Sequence, residues 1–392
     1  MQPGRVVIVG AGQGGFQAAM SLRQEGFAGR ITLIGAEPGL PYQRPPLSKA
    51  YLKTGEADAL ALRPASFYDR NDIELVTGTR VDGIDRAAGE IRIGARRLGY
   101  DHLILATGTR NLRPPIPGLD AALDLRTLED AARLRAELDR PRRCAVIGGG
   151  FIGLEFAAVA RALGHAVTVA ETADRLMARV VSPATSDRFR RLHETLGTGL
   201  RLGQPVAQVE PGGIVLADGG RIDADLVLLA AGVRPNTELA QNAGLTCRNG
   251  VAVDACLRTD DPAISALGDC AVFPDPRTGR DVRLESVQAA TDHARLIARR
   301  LVHGAGDPYG AVPWFWSDQG DCKLQIAGLA GPGDDMVLRD DGAVLRFCGP
   351  VLTAVETVND ARTHMKTRKL MAAGQPLTRD MLQEAGYDLT AI

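Results

Sequence analysis

The chain has 392 residues, enough for two or three domains with separate cores, and its 45% hydrophobic and 24% charged content argues against a disordered or collagen-like architecture. Forty-six basic and 47 acidic side chains leave a net charge of -1, so no global electrostatic pull toward nucleic acid or an anionic membrane exists. No apolar run approaches the roughly 18 residues of a membrane span, and the six cysteines, at 144, 247, 256, 270, 322 and 348, contain no CxxC or CxxxxC pair and no metal-ligand spacing. These features set the expectation of a cytoplasmic chain with buried, reduced thiols, no zinc or ligated iron-sulfur site, and neither nucleic acid nor membrane as partner.

Near the N-terminus, Val6 to Val9 is a short apolar run that leads directly into a glycine-rich loop. It predicts a buried strand, followed by a helix from about Phe16 to Gln24 and a second strand from Ile31 to Ile34, together a βαβ unit. Gly10, Gly12 and Gly15 stand in G-x-G-x-x-G register. The first permits the tight turn, the second lets the backbone approach a pyrophosphate, and the third lets helix pack close to strand. The phosphates then rest on the positive end of the helix.

Further along, a strand over Leu103 to Ala106 precedes the proline-dense stretch Arg110 to Gly118, which predicts an extended connection between domains. A second βαβ unit follows: a strand from Cys144 to Ile147, a helix from Phe151 to Leu163 ended by Gly164, and a strand from Ala166 to Ala170. Its loop repeats the register with Gly148, Gly150 and Gly153. Two such loops, each between a strand and a helix and each with an acid at the end of the next strand (Glu37 and Glu171), imply two dinucleotides held at once and hydride passing between them. A carboxylate there accepts hydrogen bonds from the adenosine ribose and repels a 2'-phosphate, so Glu171 favours NAD over NADP; Arg175 is the one nearby base that would soften the preference.

The strand Asp225 to Ala231 is closed by GVRPN (Gly232 to Asn236), which predicts a return crossing to the first domain. After Pro308 the texture changes, with two tryptophans in PWFWSDQ and β-rich stretches at Lys323 to Leu329 and Ala343 to Phe347. The expected fold class is therefore α/β: two Rossmann-like dinucleotide-binding domains with a smaller C-terminal α+β domain. Residues 1–112 and 234–308 form the first, 113–233 the second and 309–392 the third.

The segment PYQRPPLSKAYL (Pro41 to Leu52) is joined, in order, by ATGTR (Ala106 to Arg110), LRTLED (Leu125 to Asp130), GGGFIGLE (Gly148 to Glu155), GVRPN, ALGDC (Ala266 to Cys270), ESV (Glu285 to Val287) and PWFWSDQ (Pro313 to Gln319). Across almost its whole length the chain resembles the FAD-dependent ferredoxin reductases that supply Rieske-type oxygenases and bacterial haem-thiolate monooxygenases, proteins of glutathione-reductase-like fold. The resemblance implies FAD on the first loop, with Gly14 against its pyrophosphate, and NADH on the second. It implies Lys49 beside flavin N5, where an ammonium stabilises the charge that arrives with hydride. Glu155 would pair with Lys49 and face the nicotinamide, and Trp316 would line the same site. Val81, Arg126, Asp269 and Val287 would contact FAD, Asp269 at its ribityl or phosphate portion and Val287 at the start of a helix directed at the pyrimidine edge. One departure stands out: where many relatives have an acid, this chain has Ala36, and Glu37 is expected to take over the ribose contact.

The implied partner is a 2Fe-2S ferredoxin, which accepts electrons singly from a flavin charged two at a time. Its acidic surface would dock on a basic face, for which the stretch TDHARLIARRL offers Arg295 and Arg299 at i, i+4 spacing beside Arg300. Disulfide reductases need a CxxxxC near the flavin, and the peroxidases and oxidases of this fold need one cysteine; between Glu37 and Leu62 there is none. A rubredoxin acceptor and an apoptosis-inducing-factor-like NADH sensor stay open as alternatives.

Overall fold

A computed structural model describes residues 3–304 and 306–392. It divides into two units, one of residues up to Arg44, Asp58–Arg110 and Val233–Ala311, the other of Pro45–Ala57, Asn111–Gly232 and Val312–Ile392. The chain changes unit at 110/111 and again at 232/233, at the proline-dense stretch and at GVRPN.

In the first unit five parallel strands lie in the order Ile264–Ala266, His102–Leu105, Arg5–Val9, Arg30–Ile34, Ile73–Val76. Val6, Val7 and Ile8 are wholly buried, as a strand covered on both faces requires. The helix predicted from about Phe16 begins at Gln13. Glycine's poor helix propensity hides that first turn from the apolar pattern, although the loop opens straight into it. The long helix Val287–His303 packs on this loop helix; Ser286 caps it by accepting from Ala289 N at 3.0 Å, and Gly304 ends it at φ 71°.

The second unit is built on four parallel strands, Gly199–Leu202, Ala166–Glu171, Arg143–Ile147 and Leu226–Leu229. Its loop helix is Phe151–Ala162, and Gly164 follows at φ 90°, the left-handed conformation expected beyond a helix end. The C-terminal residues add a five-stranded antiparallel sheet, Trp314–Gln319, Cys322–Gly328, Val351–Val358, Val344–Cys348, Asp335–Leu338. One apolar cluster joins it to the parallel layer, with Leu154, Leu176, Val181 and Phe189 against Leu324, Ile326 and Ala354. The buried carboxylate of Glu356 reinforces the junction, accepting from Ser182 N at 2.8 Å and from Arg346 at 3.1 Å. Residues 45–57 also belong here: a short turn at Pro45–Ser48 leads to the helix Ala50–Thr54, ended by Gly55 at φ 73°.

Two expectations need correction. All six cysteines are free, yet only Cys144 and Cys270 are buried; Cys247, Cys256 and Cys322 are half-buried and Cys348 is exposed. Arg300 is not on a docking face: it is 6% exposed and donates to Cys256 O and Ser265 Oγ. Successive helix residues turn by about 100°, so the neighbour of an exposed Arg299 points inward.

Candidate functional site

The two loops have nearly the same backbone. Gly10 lies at φ 109° and Gly148 at φ 110°, and a Cβ at either would strike a carbonyl oxygen, Ala106 O at 2.1 Å or Ala230 O at 2.4 Å. Gly15 and Gly153 close the turn, since a Cβ on them would lie 1.8 Å from Gly10 O and 2.3 Å from Gly148 O. Around the middle glycines, Gly12 and Gly150, no atom of the described residues comes within 4 Å of where a Cβ would be. Neither glycine can cap its helix with a side chain, so the first-turn N–H groups face an open cradle suited to a pyrophosphate. FAD and NAD fit these two cradles on this geometry.

The acids beside the loops are not equivalent. Val9 pairs with Ile34 and Ile147 with Ala170, so the counterpart of Glu171 is Gly35, and Glu37 stands two residues further on. Glu171 ends its strand and accepts from Gly149 N at 2.6 Å and from Ala173 N at 2.8 Å, which fixes both oxygens at the loop and leaves lone pairs for ribose hydroxyls. The Glu37 carboxylate is engaged by Arg44 and the Tyr42 hydroxyl. Arg175 is also taken, donating to Val181 O at 2.8 Å and Ala178 O at 2.7 Å.

Lys49 and Glu155 meet, as the resemblance implies. Lys49 Nζ stands 2.7 Å from Glu155 Oε2, the carboxylate 3% and the lysine side chain 21% exposed. Pro45 and Pro46 make a short turn that delivers Ser48 and Lys49 together, and the Ser48 hydroxyl donates to the same oxygen at 2.6 Å. Glu155 Oε1 accepts from Ser317 Oγ at 2.7 Å. A buried charge keeps its cost low only when paired and hydrogen-bonded, and three donors meet that condition. Ser48 and Ser317 escaped the sequence reading; the alternation of WFWSDQ, which puts Phe315, Ser317 and Gln319 on one strand face, was the available signal.

Trp316 points to the opposite face from Ser317, its ring 5.6 Å from Trp314 and 6.4 Å from Phe315. Asp269 lies in the turn Gly268–Cys270, accepts from Thr109 Oγ1 at 3.3 Å, and adjoins Leu267, whose side chain closes on Gly14. Gly268 N donates to His293 Nδ1 at 3.2 Å, and burial pushes that imidazole down to about 3. Val287 opens its helix as expected. Arg126 is half-buried and donates through its backbone to Asp130 at 3.1 Å, and Val81 is half-buried in the segment after Ile73–Val76. Arg295 and Arg299 are exposed.

A family model described as pyridine nucleotide-disulphide oxidoreductase matches residues 4–294, and a second, described as reductase C-terminal, matches residues 314–392. The chain belongs to the pyridine nucleotide-disulphide oxidoreductase family. Among relatives, it is 47% identical to rhodocoxin reductase of Rhodococcus erythropolis, over 98% of this chain and 93% of that one, and 38% identical to putidaredoxin reductase CamA of Pseudomonas putida, over 99% and 96%. A crystal structure of the ferredoxin reductase for the CYP199A2 system from Rhodopseudomonas palustris superposes with a TM-score of 0.95 at 43% identity, covering 99% of both chains. The covalent putidaredoxin reductase–putidaredoxin complex gives 0.93 at 37% identity, covering 98% of this chain and 97% of that one. Although the family is named for disulphide chemistry, this member has no cysteine between Glu37 and Leu62.

Proposed function

We propose that the chain is an FAD-dependent NADH:ferredoxin reductase that takes hydride from NADH and passes single electrons to a 2Fe-2S ferredoxin serving a haem-thiolate monooxygenase or Rieske oxygenase. The observation that carries this reading is the ion pair between Lys49, on a cysteine-free segment, and the buried carboxylate of Glu155, in a chain with two dinucleotide cradles. When bound, FAD supplies the conversion between a two-electron donor and a one-electron acceptor. The balance is one NADH and two oxidised ferredoxins to NAD, two reduced ferredoxins and a proton.

The chain's own residues hold and orient. Gly10, Gly12, Gly14 and Gly15 cradle one pyrophosphate and Gly148, Gly150 and Gly153 the other. Glu171 accepts the NAD ribose hydroxyls, and Arg175, four residues on, is engaged by Val181 O and Ala178 O and so is turned away from a 2'-phosphate. Lys49 offers positive charge where hydride brings negative charge, and Glu155 keeps the ammonium in place. Arg126, Asp269, Val287 and Val81 contact FAD, Trp316 lines the nicotinamide side, and Glu37 contributes to the adenosine end. Arg295 and Arg299, without Arg300, present the docking face for an acidic ferredoxin. No helix among the described residues is long and apolar enough to cross a membrane; a cytoplasmic location suits the unpaired cysteines.

Anaerobic mixing with NADH or NADPH, then with a panel of 2Fe-2S ferredoxins and rubredoxin, tests the reading through flavin absorbance. Bleaching by NADH and rapid recolouring by a 2Fe-2S ferredoxin are expected. Equal rates with NADPH would remove the Glu171 argument, and a preference for rubredoxin would replace the acceptor. Lys49→Ala is expected to slow flavin reduction by a factor of about 100 or more, since it leaves a buried carboxylate without its cation. Arg295→Glu should raise the ferredoxin Michaelis constant and spare flavin reduction by NADH.

A further inference from the structure

Behind Glu155 runs a line of polar side chains that the proposed reaction does not itself use. Glu155, Ser317, Gln319, His193 and Thr198 are each at most 4% exposed, so each must find its hydrogen-bond partners within the protein. Their contacts are Ser317 Oγ to Glu155 Oε1 at 2.7 Å, Gln319 Nε2 to Ser317 Oγ at 3.1 Å, His193 Nε2 to Gln319 Oε1 at 3.0 Å, and His193 Nδ1 to Thr198 Oγ1 at 3.4 Å. All lie in the second unit.

We infer that these residues form a one-way chain of donors, Thr198 to His193 to Gln319 to Ser317, that fixes the Glu155 carboxylate for Lys49, making Ser317 and Gln319 positioning residues for flavin reduction. The inference rests on the ferredoxin reductase reading. Its direction follows from proton counting. Ser317 has one hydroxyl proton, which goes to the carboxylate, so its contact with Gln319 must be a donation from the amide nitrogen. That turns the amide oxygen toward His193, which must therefore carry its proton on Nε2 and accept from Thr198 on Nδ1. Burial pushes the imidazole pKa down, against the raising effect of the Gln319 bond, and keeps the ring neutral in this one tautomer.

An amide does not relay protons readily, so the chain orients rather than conducts. Aligned donors also polarise one another toward the charged end. Oε2 meanwhile takes Lys49 at 2.7 Å and Ser48 at 2.6 Å, so the two carboxylate oxygens are held from different elements and the carboxylate plane is fixed. Lys49 has a flexible stem and a partly exposed side chain, and its ammonium is only as well placed as the anion that anchors it.

The test uses the FAD-loaded protein in two measurements. Nitrogen-15 NMR of labelled histidine, with His193 assigned by loss of its signals in His193→Gln, should show the proton on Nε2; a proton on Nδ1 would reverse the chain and overturn the inference. Anaerobic stopped flow with NADH should show Ser317→Ala lowering the limiting rate of flavin reduction about tenfold, the loss of one hydrogen bond to a charged group, at an unchanged half-saturating NADH concentration. Ser317→Thr, which keeps the hydroxyl, should restore most of the rate. Wild-type rates in Ser317→Ala, or Ala and Thr variants equally slow and equally lowered in melting temperature, would overturn it. A wild-type flavin that NADH does not bleach would instead overturn the proposed function, while the NMR measurement still decides the direction of the chain.

Discussion

Gly10 and Gly148 differ by one degree in φ, and the helices they lead into have twelve residues each, yet the two loops sit in different surroundings. At the fifth loop position the first has Gly14, where a Cβ would lie 2.4 Å from Leu267 Cδ1 and 3.6 Å from the Ala290 side chain. The second has Ile152 there, 42% exposed. At this position the first loop helix is walled by Leu267 and the helix Val287–His303, whereas in the second only the Ile152 side chain opens to solvent, most of Phe151–Ala162 being buried. An identical backbone makes an identical anion site, and the packing around it decides whether the ligand stays. That contrast supports FAD as resident of the first loop and NADH as visitor to the second.

The largest effect that would test the contrast comes from the turn glycines. Gly10→Ala places a methyl group against Ala106 O at a left-handed φ and should cost more than about 3 kcal/mol, giving colourless protein. Gly148→Ala meets the same obstacle at Ala230 O but should retain the yellow of FAD and lose reduction by NADH. Absorbance after desalting, with NADH titration, reads both. Two colourless variants would end the division of labour.

Acid gives the next effect. His102 and His293, both in the first unit, are pushed down to about 3, His102 by burial and then Arg300, His293 by burial. Each is neutral when folded and charged when unfolded at pH 5, so its contribution is present above the ordinary histidine pKa of about 6.5 and is lost as pH falls below it. Denaturation at pH 7 and pH 5 should differ by about 2 kcal/mol for each of the two, and His293→Phe should remove its share of that slope. An unchanged slope would show that the imidazole beside the Asp269 turn is not held neutral.

Gly14→Ala should destabilise by about 1–3 kcal/mol because Leu267 must move, while Ile152→Ala should stay within about 0.5 kcal/mol. Thermal melts of the two variants therefore measure the wall directly. Smallest is the pair of acids. Glu171→Ala should raise the NADH Michaelis constant about tenfold with little change for NADPH, and Glu37→Ala should weaken FAD retention on a desalting column. Retention equal to wild type would assign the adenosine end to other groups.

Much of this was legible along the chain. Strands such as Val6 to Val9 and Cys144 to Ile147 announce themselves because a strand buried on both faces is apolar at every position, and the glycine register is local by nature. Residues that depend on which way a side chain turns were misread or missed. Spacing groups Arg300 with Arg299 although the helix turns it into the core, and composition puts the thiols inside although Cys348 lies at the surface. Glu37 and Glu171 look alike as acids after a strand, and only the pairing of Val9 with Ile34 and of Ile147 with Ala170 shows the two-residue offset.

The sequence by itself determined the number of cradles, their order and the absence of a dithiol, because a turn needing positive φ or a close phosphate approach demands glycine at fixed spacing. Tertiary structure alone decided which groups complete the site: Ser48 and Ser317, which join the Lys49–Glu155 pair that the resemblance implies, and the wall beside Gly14. Such contacts join residues more than 100 positions apart, and no local pattern encodes them, because they exist only once the elements carrying them have packed.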